Sequence, residues 1–119
     1  MIKIDNFIYG CITINGKDYK EDVYIFPNGT ITTRKCSLEG KTHLEVSADE
    51  LTLLSKDEPE AIIIGTGKHG GLSLSQEAIN LCREKGIKIE AFVTQKAANR
   101  FNWYVEKGKK VAGLFHITD

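Results

Sequence analysis

The pattern of apolar and polar positions changes character near residue 60. Before it, residues 7–34 alternate in the manner of strands, with Ile8, Ile12 and Ile14 on one parity. Asn15-Gly16 is a two-residue hairpin signal ahead of an extended run over 19–26. Pro27-Asn28-Gly29 marks a second turn and the β-branched run 30–33 follows it, so a three-stranded meander is predicted. Residues 35–46 hold no firm period and are expected to form a loop with a short extended end at 43–46. Ser47 and Glu50 then have the spacing of a capping box, which opens a predicted short helix over 48–55 with Leu51 and Leu54 inward.

After residue 60, apolar runs alternate with helical stripes. The run 61–64, bounded by Glu60 and Gly65, predicts a strand buried on both faces. Ser73 or Ser75 caps a helix reaching Glu84, with Ala78, Ile79 and Cys82 as its apolar stripe and Gly86 just beyond its end. Residues 87–93 form the next strand. Thr94 caps a third helix over 95–107, whose inner face is Ala97, Ala98, Phe101, Tyr104 and Val105, and 111–117 is the last strand. The expected fold class is α/β with α+β character. A mixed central sheet has βα units after residue 60, an N-terminal β-meander precedes it, and the helices pack on the sheet in one domain, 1–119.

Composition narrows the function only by exclusion. Sixteen basic residues balance sixteen acidic ones, so no overall field draws the chain to nucleic acid or an anionic membrane. No apolar run approaches the roughly 20 residues of a membrane span, and the opening MIKIDNF lacks the layout of a signal peptide. Cys11, Cys36 and Cys82 have no CxxC spacing, which argues against a disulfide framework or a zinc site. A cytoplasmic protein without metal or cofactor is expected.

The candidate chemistry begins at the loop 65–71. Gly65, Gly67 and Gly70 fit G-x-G-x-x-G after a strand, and Glu90 stands twenty residues beyond Gly70, the dinucleotide-fold spacing of a ribose-binding acid. Against that reading, the next helix starts late, Glu90 falls inside a strand and too little chain follows for a full dinucleotide-binding sheet. Gly71-Leu72 in place of Lys-Ser/Thr excludes a P-loop. A small anion on the loop amides, helped by Thr66 and Lys68, stays open beside glycines that merely shape a tight connection. Thr94 and His116 are the nearest further polar candidates. His116 could serve as a general base toward Thr94 or Thr118, but no carboxylate partner for it is readable, and a hydrogen-bonded structural histidine is the plainer alternative. His43 and His69 are too far apart to suggest a metal site. Cys82 is placed in the core, while Cys36, beside Arg34 and Lys35, is either a thiol of lowered pKa or an inert loop cysteine. On the third helix Lys96, Arg100, Trp103 and Lys107 share one outer face, either a partner surface or a solvated face with Trp103 under the Arg100 stem.

The assembled pattern resembles a small single-domain family of unknown function first seen structurally in an archaeal protein. That family includes the animal adipogenesis-associated domain protein and the mitochondrial complex I (NADH:ubiquinone oxidoreductase) assembly factor 3. The resemblance rests on Tyr9-Gly10, Gly16-Lys17, Tyr19, Asp22-Val23, Pro27-Asn28-Gly29, Arg34, Glu50-Leu51 and Ile63-Ile64-Gly65-Thr66-Gly67. It continues with Gly70, Thr94, Ala97-Ala98, Asn102, Gly108, Val111-Ala112 and His116-Ile117-Thr118. Members often carry a Cys after the His-x-Thr segment, where this chain has Asp119. The resemblance implies a mixed sheet with helices on one side, a β-meander layer and no established enzymatic activity. Without a readable presequence, the chain resembles the soluble stand-alone members. The expected function is a non-enzymatic binding or accessory, assembly-type module. The alternative is a small-ligand or anion-binding protein or enzyme with its site at the 65–71 loop. An unknown protein or a small anion is the expected partner, and a homo-oligomer stays open.

Overall fold

The structure, a computed structural model, describes residues 1–34 and 44–119. β1 (Ile4–Ile8), β2 (Cys11–Ile14) and β3 (Lys17–Tyr19) form an antiparallel sheet in that order. Asn15 and Gly16 join β2 to β3 with φ of 50° and 79°, the left-handed pair that a type I′ turn demands. β4 (Val23–Ile25) and β5 (Ile31–Thr33) follow, then the two-residue β6 (Glu45–Val46) and α1 (Ala48–Leu54). Next come β7 (Ala61–Thr66), β8 (Ser73–Leu74), α2 (Gln76–Lys85), β9 (Lys88–Phe92), α3 (Thr94–Glu106) and β10 (Val111–His116). The central sheet has the order β5-β4-β10-β7-β9, with β10, β7 and β9 parallel and β4 and β5 antiparallel to their neighbours. β6 and β8 pair separately.

The chain runs from β7 through α2 out to β9, then back through α3 across β7 to β10. Right-handed crossovers taken in opposite directions place their helices on opposite faces. One face of the sheet, carrying Ile62, Ile64, Ala112 and Leu114, packs against Leu51 and Leu54 of α1 and Ala78 and Cys82 of α2. The other, carrying Ala61, Ile63, Val111 and Phe115, packs against Ala97, Ala98 and Phe101 of α3 and the β1–β2 hairpin. The expectation of helices on one side is therefore corrected.

Three other expectations need correction. The run 19–26 is not one strand: after β3 the chain leaves the first sheet and enters the central sheet as β4. The side chain of Asp22 sits at that crossing and accepts the Ile117 amide at 2.9 Å, which ties the entry of β4 to the end of β10. Ile8 is 60% exposed rather than inward, because an irregularity between Ile4 and Asn6 shifts the register and turns Ile4 and Phe7 to the core. The capping box at Ser47 and Glu50 is present, and Ser75 is the residue that caps α2. Thr94 opens α3 without capping it; its hydroxyl is committed elsewhere. The loop expected over 35–43, with Cys36 and His43, lies outside the described residues.

Candidate functional site

β10 ends in a chain of buried polar side chains. The Asp22 carboxylate receives His116 Nδ1 at 2.8 Å and Arg34 Nη1 at 3.1 Å on one oxygen. Arg34 Nε donates to Glu50 Oε1 at 2.5 Å, and the same oxygen accepts the Tyr24 hydroxyl at 2.6 Å. The His116, Arg34, Asp22 and Glu50 side chains are 1%, 3%, 11% and 16% exposed, so their mutual attraction is little screened by solvent. Burial pushes the Asp22 carboxyl up, but hydrogen bonds from His116, Ile117 and Arg34 outweigh it. The group is held below the ordinary carboxylate range. Glu50 follows the same logic: burial is overcome by hydrogen bonds from Arg34, Tyr24 and the Ser47 amide. Tyr24 and Arg34 are pushed up, the first by burial and then by Glu50, the second by its two carboxylate partners against burial.

With Asp22 ionised and able only to accept, His116 Nδ1 carries the hydrogen of their bond. The other nitrogen, Nε2, faces the Thr118 hydroxyl at 3.2 Å. The His116 carbonyl accepts the Thr94 hydroxyl at 2.6 Å, and Thr94 Oγ1 in turn accepts the Gly67 amide at 2.8 Å. Thr94, Gly67 and His116 are thus brought together at the carboxyl ends of the three parallel strands, where open α/β sheets place sites.

The rest of the glycine loop is committed within the chain. Lys68 donates its amide to the Thr118 carbonyl at 2.8 Å, and His69 and Gly71 donate to the main-chain oxygen of Asp119 at 3.2 and 2.8 Å. A Cβ on Gly67, whose φ is 104°, would stand 2.5 Å from the Asp119 main chain and 2.8 Å from the His116 ring. The Thr66 hydroxyl donates to the Phe92 carbonyl, Gly65 is buried in β7, Gly70 lies at the exposed tip, and the Lys68 side chain is exposed. Helix α2 begins only at Gln76, after β8, so its N-terminus does not open from the glycine loop as a dinucleotide site requires.

Glu90 is also committed, to the third helix. Its carboxylate accepts Arg100 Nε at 3.1 Å and makes a short hydrogen bond with the Tyr104 hydroxyl. The Arg100 guanidinium lies 4.3 Å from the Trp103 ring and 4.9 Å from that of Tyr104, and Lys96 lies 5.1 Å from the Phe92 ring. Trp103 remains 37% exposed, and Lys107 is exposed one turn further on. The predicted helical face therefore exists, but Arg100 is fastened to the sheet.

Sequence reasoning missed Asp22 as the partner of His116, and with it the Arg34–Glu50 pair. Asp22 and His116 are 94 positions apart, and no local spacing links them. Their only signal was joint appearance among the residues that carry the family resemblance. Among the described residues no group of three or more His, Cys, Asp or Glu side chains is placed to hold a metal ion, and no helix is long and apolar enough to cross a membrane. At the opposite end of the sheet, a cleft of about 570 Å³ opens between Phe26, Asn28, Val105, Lys110 and Val111.

A family model described as "Protein of unknown function (DUF498/DUF598)" matches residues 4–116. The same fold occurs in MT938, 26% identical over the whole of both chains with a TM-score of 0.85. A conserved hypothetical protein of Pyrococcus horikoshii is 25% identical over 98% of this chain and 99% of its own, at a TM-score of 0.80. A Bordetella pertussis protein described as an Mth938-like domain is 17% identical over 97% of this chain and 85% of its own, at 0.71.

Proposed function

The chain belongs to the DUF498/DUF598 family of proteins of unknown function, and on that premise we propose that it is a binding or accessory module whose protein partner docks along the outer edge of β9 and the adjoining face of α3. One observation carries this reading: an ordered cation–aromatic stack, Arg100 on Trp103 and Tyr104, stands beside the last strand of the central sheet. Arg100 is held in place by Glu90, so little side-chain entropy is lost when a partner covers it. Trp and Arg are the residues that most often dominate interface energy. β9 has no strand on its outer side among the described residues, and its row of main-chain groups suits an added extended segment. Exposed Lys88, Lys96 and Lys107 favour acidic side chains on that segment.

The test is affinity capture with the Trp103→Ala, Arg100→Ala double variant after circular dichroism has shown it folded. Partners retained by the parent chain should be lost; an unchanged set of partners would move the docking face elsewhere. A small anion at the 65–71 loop has less support, since the amides of Lys68, His69 and Gly71 already donate to residues 118 and 119. An anion there would have to displace that segment.

A further inference from the structure

We propose that Thr118 is an activated hydroxyl nucleophile, with His116 as its general base and Asp22 as the positioning residue, and that it accepts the acyl group of small carboxylic esters. The three groups lie in line: Asp22 Oδ2 to His116 Nδ1 at 2.8 Å, and His116 Nε2 to Thr118 Oγ1 at 3.2 Å. A nucleophile, a base within hydrogen-bond reach and a third group that orients the base are what hydroxyl activation requires. Burial grades along the line, from a 1% exposed imidazole to a half-buried threonine. Arg34 shares the Asp22 oxygen and the Ile117 amide takes the other, so the carboxylate cannot turn away from the ring.

The chemistry balances without any other reactant than water. Thr118 Oγ adds to the ester carbonyl carbon, and its proton passes to His116 Nε2, giving an imidazolium that Asp22 faces. The tetrahedral species then collapses: the bond to the alcohol oxygen breaks, the departing oxygen takes the proton from Nε2, and the acyl group stays on Thr118. Water, deprotonated by the same nitrogen, adds to the acyl carbon; the carboxylic acid leaves and the Thr118 hydroxyl is restored.

This centre stands apart from the β9–α3 face, so either proposal survives failure of the other. The experiment is stopped-flow release of p-nitrophenolate from p-nitrophenyl acetate, with mass spectrometry of the acidified mixture. A burst approaching one equivalent per chain is expected, with an added acetyl group on the peptide that carries Thr118. Thr118→Ala should abolish both and Thr118→Ser should restore them. His116→Gln should slow the burst by about 100-fold or more, the usual worth of a positioned base. Asp22→Asn should lower kcat with KM unchanged. No burst in the folded parent chain, or a burst that persists in Thr118→Ala, would overturn the proposal. Because Thr118 is half-buried at the edge of the fold, folded Thr118 variants keep the test decisive even if the Asp22 variant unfolds.

Discussion

Arg34 is the residue on which the buried charges depend. It stands between Asp22 and Glu50, reaching both while only 3% of its side chain meets solvent. Removing one member of such a cluster leaves uncompensated buried charge, typically at a cost of about 3–5 kcal/mol. Arg34→Met should therefore lower the free energy of unfolding in urea by roughly that amount. A loss below about 1 kcal/mol, the value of an exposed pair, would show that solvent already screens the cluster. The carboxylates also set an acid limit. Asp22 and Glu50 are held below their ordinary 3.8 and 4.5 in the folded chain. A depressed carboxyl stabilises the fold above its unfolded value and loses that contribution as pH falls through the folded one. Stability measured by urea unfolding should thus be level above those ordinary values and fall progressively below them. In Arg34→Met the acid-dependent fall should be smaller. Gly67 makes a different demand. Its left-handed backbone and the 2.5 Å approach of Asp119 leave no room for a methyl group. Gly67→Ala should cost about 1–3 kcal/mol, the range of a strained backbone position, read as a lowered melting temperature.

At the scale of elements, much of the chain was legible because local signals coincide with tertiary need. Ser47 and Glu50 close the box they advertise, and Ser75 and Gly86 bracket α2. Ser75→Ala should cost about 1 kcal/mol by freeing the Ala78 amide. The stretch 19–26 failed because a strand pattern carries no record of which sheet it joins, and the chain changes sheet after Tyr19. Thr94 failed for a related reason: a threonine before a helical stripe signals a cap, but here its hydroxyl joins Gly67 to His116 across two strands. The spacing of Lys96, Arg100, Trp103 and Lys107 was readable as one face. That Glu90 anchors the arginine was not, since it depends on how α3 crosses β9.

For the whole molecule, the sheet order explains both the layering and the place of the buried cluster. β10 is central, parallel to β7 and antiparallel to β4, so its carboxyl end meets the entry of β4 and the turn after β7. Residues from positions 22, 34, 50, 67, 94, 116 and 118 gather there by topology alone. Sequence identified Gly67, Thr94 and His116 from chemistry and turn signals. Asp22, Arg34 and Glu50 needed the long-range pairing: local signals had marked Glu50 only as a capping residue, and nothing but the family resemblance had grouped the three. The opposite holds for β9: it is exposed because it comes last in the sheet order, an edge with the Arg100–Trp103 stack beside it. The most direct measurement of the proposed docking face is site-specific photo-crosslinking from a benzophenone side chain placed at Ala91 on β9, compared with one at Glu77 on α2. Partner adducts should form from position 91 and not from 77. Adducts of equal yield from both positions, or only from 77, would contradict a partner docked along β9.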